Sequence, residues 1–205
     1  MEGVTVGERV VILFSGGADS RLLLELALLI EKVPHCLLID YEQLHKEELD
    51  FAKNQLESKK IKYQVVNLSG LNLTTALTGE GVRGRFGAEK EISPWYVPSR
   101  NLMFVSIAAS IAENIGAETI WYGADASDYE NRFPDCVQEW VGRVNEVLKV
   151  NGSHPIKLVA PLLGFSKEDV LALLKSFGVK EDEYFSGYGD LLLRRISGEE
   201  KGEEE

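Results

Sequence analysis

The chain has 205 residues, 44% of them hydrophobic, enough for one α/β domain with a sizeable core and too short for two full domains with linkers. A net charge of −11 argues against a nonspecific grip on nucleic acid, which needs clustered Lys and Arg to displace counterions from phosphates. Two cysteines are too few for a disulfide framework or a four-thiolate zinc site, and no apolar run is long enough for a membrane span or shaped like a signal peptide, so a cytoplasmic protein is expected.

Apolar strand-like runs alternate with helical patterns along the chain, the signature of a parallel sheet wrapped by helices. Residues 9–14, 35–40 and 61–68 read as the first three strands. A leucine-rich helix from Ser20 to about Lys32 separates the first two. A charged amphipathic helix over about 45–59, with Leu49, Ala52 and Leu56 at helical spacing, separates the second and third. Residues 69–97 break the rhythm with Gly79, Gly81, Gly84, Gly87 and Pro94, which predicts a lid or substrate loop over 79–97 more than a connector. A helix from Ser99 to about Asn114, a strand at 118–122 and a loop at 123–133 follow. Pro134 then suits the first position of a helix running to about Val150, where its missing N–H costs nothing. A fifth strand at 157–160 precedes a last long helix, opened by the cap box Ser166-Lys167-Glu168-Asp169 and ending near Gly178. The expected fold is an open parallel five-stranded sheet with helices on both faces. It forms a single domain over 1–197, and residues 198–205 read as a disordered acidic tail.

The most specific local pattern is Ser15-Gly16-Gly17-Ala18-Asp19-Ser20, reached from the apolar strand Val10-Val11-Ile12-Leu13-Phe14 and leaving into a helix. Adjacent glycines let the backbone approach an anion, the free N–H groups and dipole of the helix point at the same place, and Ser15 and Ser20 can add hydroxyl donors. Such a turn is built to hold pyrophosphate. It differs from the loop of kinase-like NTPases, which places a lysine on the β- and γ-phosphates, because no lysine lies between Phe14 and Glu31. An ordinary strand-to-helix glycine turn is the bland alternative, and six fitting residues in the right context weigh against it. In an open α/β sheet, ligands sit at the carboxyl ends of the strands where strand order reverses. The chemistry is therefore expected in the turns 15–20, 40–45, 96–101 and 123–135.

Each further candidate has a bland alternative beside its functional one. His45 can be a solvated or capping histidine or a proton acceptor. Arg100 can pair with an acidic neighbour, yet Pro98-Ser99-Arg100-Asn101 at a helix start also sets a guanidinium and an amide beside bound phosphate. Asp125 and Asp128 can cap the turn after the fourth strand or accept from the N–H donors of a purine-like base. Cys136 can be inert or can have a lowered pKa at a helix N-terminus, and Cys36 is core packing.

The glycine turn resembles the PP-loop of the N-type ATP pyrophosphatases, which cleave ATP between the α- and β-phosphates. With Asp40-Tyr41-Glu42-Gln43-Leu44-His45, Val97-Pro98-Ser99-Arg100-Asn101 and the stretch from Asp125-Ala126-Ser127-Asp128-Tyr129 to Phe133-Pro134-Asp135-Cys136, the chain resembles the 7-cyano-7-deazaguanine synthase (QueC) family over about residues 10–177. There the corresponding segments read approximately Asp-Tyr-Gly-Gln-Arg-His, Val-Pro-Gly-Arg-Asn and Tyr-Pro-Asp-Cys-Arg. The resemblance implies the adenine nucleotide alpha hydrolase-like fold and ATP-dependent conversion of 7-carboxy-7-deazaguanine and ammonia to 7-cyano-7-deazaguanine through a carboxyl adenylate. It implies ATP contacts from Phe14, Ser15, Gly16, Gly17, Ala18, Asp19, Ser20, Tyr41, Arg100 and Asn101, with Mg²⁺ on Asp19. Substrate contacts would come from Gln43, Asp125, Asp128, Tyr129, Asp135 and Cys136, and direct roles in the reaction fall to Ser15, Asp19, Ser20, His45 and Arg100.

The family ends in cysteines that bind one structural zinc. Here Gly187 stands in the first cysteine's place and the rest of the knuckle is missing, so no zinc is expected. Leu191, Leu192 and Leu193 can pack in its stead on the domain or on a second subunit, which admits a homodimer. Leu44 and Val137 replace family arginines, taking positive charge from around a site for a carboxylate. That keeps open a related ligase that passes the adenylate to another amine, such as one on a partner protein. A degenerate nucleotide-binding module is the non-enzymatic alternative. No membrane association and no stable nucleic acid binding are expected.

Overall fold

The computed structural model describes residues 7–42, 47–71 and 96–185. Five parallel strands form one sheet: β1 (Arg9–Leu13), β2 (Val33–Asp40), β3 (Lys62–Asn67), β4 (Thr119–Trp121) and β5 (Lys157–Val159), in the order β3-β2-β1-β4-β5. The register sets Ile12 beside Cys36 on one side and Trp121 on the other. Strand order reverses at β1, since the chain first builds outward through β2 and β3 and then crosses to β4 and β5. The crevice at the carboxyl ends of β1 and β4 is therefore the place for a ligand.

Pleating divides the core. Val10, Ile12 and Phe14 face one layer of helices: α1 (Ala18–Leu29), α2 (Glu47–Ser58) and α6 (Lys167–Ser176). Val11 faces the other, formed by α3 (Arg100–Ile115) and α5 (Gln138–Val150). Leu22, Leu23 and Leu24 of α1 are fully buried, as three consecutive leucines must be when a helix is covered on more than one side. Each contributes about 1.5–3 kcal/mol by leaving water, and together they seat the helix that follows the glycine turn. No helix among the described residues is long and apolar enough to cross a membrane.

The helices depart from expectation at their starts. The first begins at Ala18 rather than Ser20, with Gly17 as its N-cap. A short helix, α4 (Ala126–Glu130), occupies the segment expected as a loop; Asp125 and Asp128 cap it reciprocally. Pro134 does not open α5, which starts at Gln138 after Val137. Pro134, Asp135 and Cys136 stay in a turn closed by the Cys136 N–H on the Phe133 carbonyl. Side-chain bonds from Asp135 and Cys136 into the core hold them there, outweighing proline's preference for a helix start. The cap box of Ser166 and Asp169 opens α6 as expected.

Candidate active site

The turn after β1 organises itself before any ligand arrives. Gly16 has φ +88°, and a Cβ there would lie 2.9 Å from Cβ of Ala52, so both conformation and space demand glycine. Its N–H donates to Ser20 Oγ at 3.1 Å, and the Ser20 hydroxyl donates onward to the Gly17 carbonyl at 3.0 Å. Ser20 is thus buried and spent on shaping the turn, not on presenting a donor to a ligand. Ser15 is exposed, with Oγ 3.3 Å from both Ser20 Oγ and the Gly17 N–H. The first backbone bond of α1 runs from the Arg21 N–H to the Gly17 carbonyl, which leaves the N–H groups of Ala18, Asp19 and Ser20 without helical acceptors. Phe14 packs in the core, and its N–H bonds to Leu37, so its side chain makes no ligand surface.

Beside the turn stands a lysine that local pattern did not assign to the site. Lys167 Nζ lies 2.8 Å from each carboxylate oxygen of Asp19 and 2.7 Å from Asp125 Oδ2, joining turns 148 residues apart. It was legible only as a residue inside a cap box. The available signal was a cation in the first turn of a helix, where the dipole disfavours positive charge unless acidic partners are near. Burial pushes the Asp19 carboxyl up to about 6; Lys167 opposes the rise, and Asp125 and Asp128 add to it. Gly123 permits the approach, since a Cβ there would meet Cβ of Asp19 at 3.3 Å.

Asp125 is fully buried, with Oδ1 accepting from the Ser127 N–H at 2.8 Å and the Ser127 hydroxyl at 2.5 Å. Its other oxygen faces Lys167. Asp125 thus caps α4 with one oxygen and meets the Lys167 ammonium with the other, and Asp128 accepts from the Asp125 N–H at 3.0 Å. Burial counts against the charge of Asp125, but hydrogen bonds from Lys167 and Ser127 hold its pKa below the ordinary value.

A second polar group lies where α3 begins. Asn101 Nδ2 donates to Asp135 Oδ2 at 2.8 Å and to the Tyr122 hydroxyl at 2.9 Å, and that hydroxyl lies 3.0 Å from Cys136 Sγ. All four side chains are buried. Burial pushes the Cys136 thiol well up, the reverse of the lowered pKa that a helix N-terminus would impose, because Cys136 is not at one. Arg100 stacks its guanidinium 5.7 Å from the Tyr41 ring centroid and 5.8 Å from that of Phe104, and donates to the Tyr41 hydroxyl at 3.3 Å. The structure thus joins the turn after β2 to the start of α3. Tyr129 is exposed on α4. Gln43, Leu44 and His45, residues 79–95, and the segment from Gly187 through Leu193 lie outside the described residues.

Among the described residues, no group of three or more His, Cys, Asp or Glu side chains is arranged to hold a metal ion. Asp19, within the turn, is the carboxylate that would hold Mg²⁺ there, and to do so it would give up an oxygen that lies 2.8 Å from Lys167 Nζ.

Comparison with known proteins agrees with this geometry. The family model for "Queuosine biosynthesis protein QueC" matches residues 9–195. The chain is 32% identical over 187 residues to the 7-cyano-7-deazaguanine synthase of Alteromonas mediterranea, covering 89% of this chain and 85% of that protein. It is 33% identical over 192 residues to the same-named protein of Nostoc punctiforme, covering 88% and 83%. Two solved structures share the fold at low identity. One is the U34-tRNA thiolase NcsA of Methanococcus maripaludis (TM-score 0.56, 14% identity, 90% of this chain and 61% of that one). The other is the NH3-dependent NAD synthetase of Campylobacter jejuni (TM-score 0.52, 16% identity, 98% and 79%). With a family model spanning nearly the whole described domain, and its glycine turn, Arg100-Asn101 and Asp135-Cys136 brought to one end of the sheet, the chain belongs to the QueC family.

Proposed function

We propose that the chain is an ATP-dependent carbon–nitrogen ligase that converts 7-carboxy-7-deazaguanine and ammonia to 7-cyano-7-deazaguanine. The observation that carries this reading is the turn of residues 15–20 at the start of α1, with the Asp19–Lys167–Asp125 charge cluster beside it, in a chain of this family. A substrate carboxylate oxygen attacks the α-phosphorus of ATP, the bond to the β-phosphate oxygen breaks, and pyrophosphate leaves into the turn. The N–H group of Asp19, with the Ser15 hydroxyl, meets the charge that develops there, and Lys167 neutralises part of it. Mg²⁺ held by Asp19 and phosphate oxygens would supply further positive charge.

Ammonia then displaces AMP from the acyl adenylate to give the amide. A second ATP is attacked by the amide oxygen with release of a second pyrophosphate, and loss of the two nitrogen protons with departure of that oxygen on AMP leaves the nitrile. Arg100, cushioned on Tyr41 and Phe104, is the cation offered to phosphate or carboxylate at the other side of the crevice; no carboxylate among the described residues forms a salt bridge with it. The buried Asn101–Asp135–Tyr122–Cys136 group sits beneath it and sets the polarity of the deazaguanine end. Asp125 and Asp128 act in this scheme by holding Lys167 and the turn after β4, rather than by reading the base. His45 is the proposed acceptor of the ammonium proton, and Gln43 and Tyr129 are proposed to bind the substrate. The protein works in the cytoplasm on small molecules, without zinc, and a homodimer is compatible with it.

Incubation with ATP, Mg²⁺, ammonium and 7-carboxy-7-deazaguanine, read by mass spectrometry, tests the assignment. Nitrile and two equivalents of pyrophosphate are expected. Accumulation of the amide alone would redirect the assignment to conjugation with another amine, for which the loss of family arginines at Leu44 and Val137 argues. No turnover and no ATP binding would leave only a nucleotide-binding fold.

A further inference from the structure

The carbonyl of Gly16 accepts two hydrogen bonds from outside its own turn. The Phe185 N–H donates to it at 2.9 Å and Gln55 Nε2 at 2.8 Å. In a planar trans peptide the C=O and the next N–H point in opposite directions. Pinning the Gly16 oxygen toward α2 and the C-terminal segment therefore turns the Gly17 N–H away from them, to the side of the exposed Ser15 hydroxyl, to which it donates at 3.3 Å and beside which a ligand oxygen can take its place. A carbonyl engaged by donors also polarises its own peptide, which strengthens the opposed N–H as a donor.

Both donors are placed with unusual care. Gln55 is buried on α2, and its Oε1 has no hydrogen-bond partner among the described residues, so its amide is retained in an apolar setting for the single bond to Gly16. Phe185 reaches the turn by a parallel bridge opposite Gly17, and its ring packs 6.1 Å from that of Phe51. The segment carrying it is anchored by Arg21, which is 2% exposed although it is a guanidinium on the first turns of α1. Arg21 donates from Nη1 to the Glu183 carbonyl at 3.1 Å, 162 residues away, while Nη2 lies 2.9 Å from Glu25 and 3.6 Å from the Glu183 carboxylate. Lys59, just past the end of α2, meets Glu25 at 3.0 Å, so two cations face two carboxylates here. The nucleotide chemistry itself uses none of these side chains.

We propose, on the footing that residues 15–20 bind pyrophosphate, that Gln55, Arg21 and the segment 183–185 are positioning elements that aim the Gly17 N–H at the leaving pyrophosphate by gripping the opposite side of the same peptide bond. The C-terminal segment is in this sense the back wall of the ATP site. Gln55 and Phe185 act through Gly16 and touch no reacting atom; Arg21 acts one step further back, by fixing Glu183.

Replacement Phe185→Pro deletes the N–H donor, and Tyr184 before it already has the extended geometry, φ −142° and ψ 151°, that a following proline requires. Phe185→Ala deletes the ring and keeps the N–H, which makes it the control. Gln55→Met deletes the second donor at nearly constant volume. Titration calorimetry of each full-length variant, with a nonhydrolysable ATP analogue plus Mg²⁺, with inorganic pyrophosphate and with 7-carboxy-7-deazaguanine, separates aim from general packing, and melting temperatures are read in parallel. Phe185→Pro is expected to weaken analogue and pyrophosphate by about three- to tenfold relative to Phe185→Ala, the worth of one hydrogen bond. Gln55→Met is expected to do the same relative to the unaltered chain. The KM for ATP rises with it, while deazaguanine affinity stays within about twofold. Equal affinities for Phe185→Pro and Phe185→Ala, together with unaltered nucleotide binding by Gln55→Met, overturn the proposal. So does a loss that is the same for all three ligands and tracks the melting temperature. Failure of the unaltered chain to bind either phosphate ligand removes the functional assignment and this inference with it, whereas tight binding by the unaltered chain and no difference among variants removes only the inference.

Discussion

Asp19→Asn should make the protein more stable while disabling it. Burial lifts the Asp19 carboxyl from about 3.8 to about 6 despite the Lys167 ammonium 2.8 Å away, with Asp125 and Asp128 raising it further. Across that window the folded chain keeps a proton that the unfolded chain has lost. Stability due to this group therefore falls as pH rises from about 4 to about 6, and the whole cost of the charge is present above it. Two pKa units correspond to a ceiling of about 3 kcal/mol. Asp19 is 24% exposed, and solvent screening brings the expected gain to about 1–2 kcal/mol for a neutral isostere at pH near 8. For a domain of this size that is a rise in Tm of about 2–8 °C. Thermal denaturation of both proteins across the pH range should show this gap at neutral and alkaline pH, shrinking toward zero as the medium is acidified through the Asp19 titration. Pyrophosphate release should meanwhile fall by about 10²-fold or more, the usual cost of losing one preorganised group at a developing charge. A gap in Tm that does not depend on pH, or a variant less stable than the parent at alkaline pH, would refute the reasoning, and near-normal turnover would remove Asp19 from the reaction.

Lys167→Met leaves Asp19 and Asp125 facing each other without a cation. Pyrophosphate release should slow by about 10²-fold, and, because Lys167 holds the Asp19 pKa down, the acidic limb of any residual pH–rate profile should move to higher pH. Ser99 and Glu42 stand at φ +58° and +62°, where the family pattern has glycine; Ser99→Gly and Glu42→Gly should each stabilise by about 0.5–1 kcal/mol in denaturant unfolding, and destabilisation by either would show that the side chain makes up for its own strain. Elemental analysis should find no stoichiometric zinc, and chelators should abolish turnover through loss of Mg²⁺ without lowering Tm; one tightly bound zinc would point to a mixed ligand set.

Short-range chemistry is where the sequence sufficed. A strand, two glycines and a helix start within eleven residues place a tight strand-to-helix turn, and the alternation of apolar runs with helical periodicity is enough for five parallel strands with helices on both faces. The cap box of α6 is equally local. What lay beyond reach depends on which strands become neighbours. Lys167 meets Asp19 because β5 and α6 return beside β1 through β4, and Asn101 meets Asp135 because α3 and the turn after β4 end at the same edge of the sheet. Local preference also lost where tertiary bonds outweighed it: the buried partners of Asp135 and Cys136 keep Pro134 out of a helix, and the bond from the Phe185 N–H to Gly16 closes 169 residues of chain onto one peptide. Spacing along the chain reports contacts made within a few turns of backbone, so the anion turn could be read in advance. Its counter-charge and its back wall, brought from the far end of the chain by the order of the strands, could not.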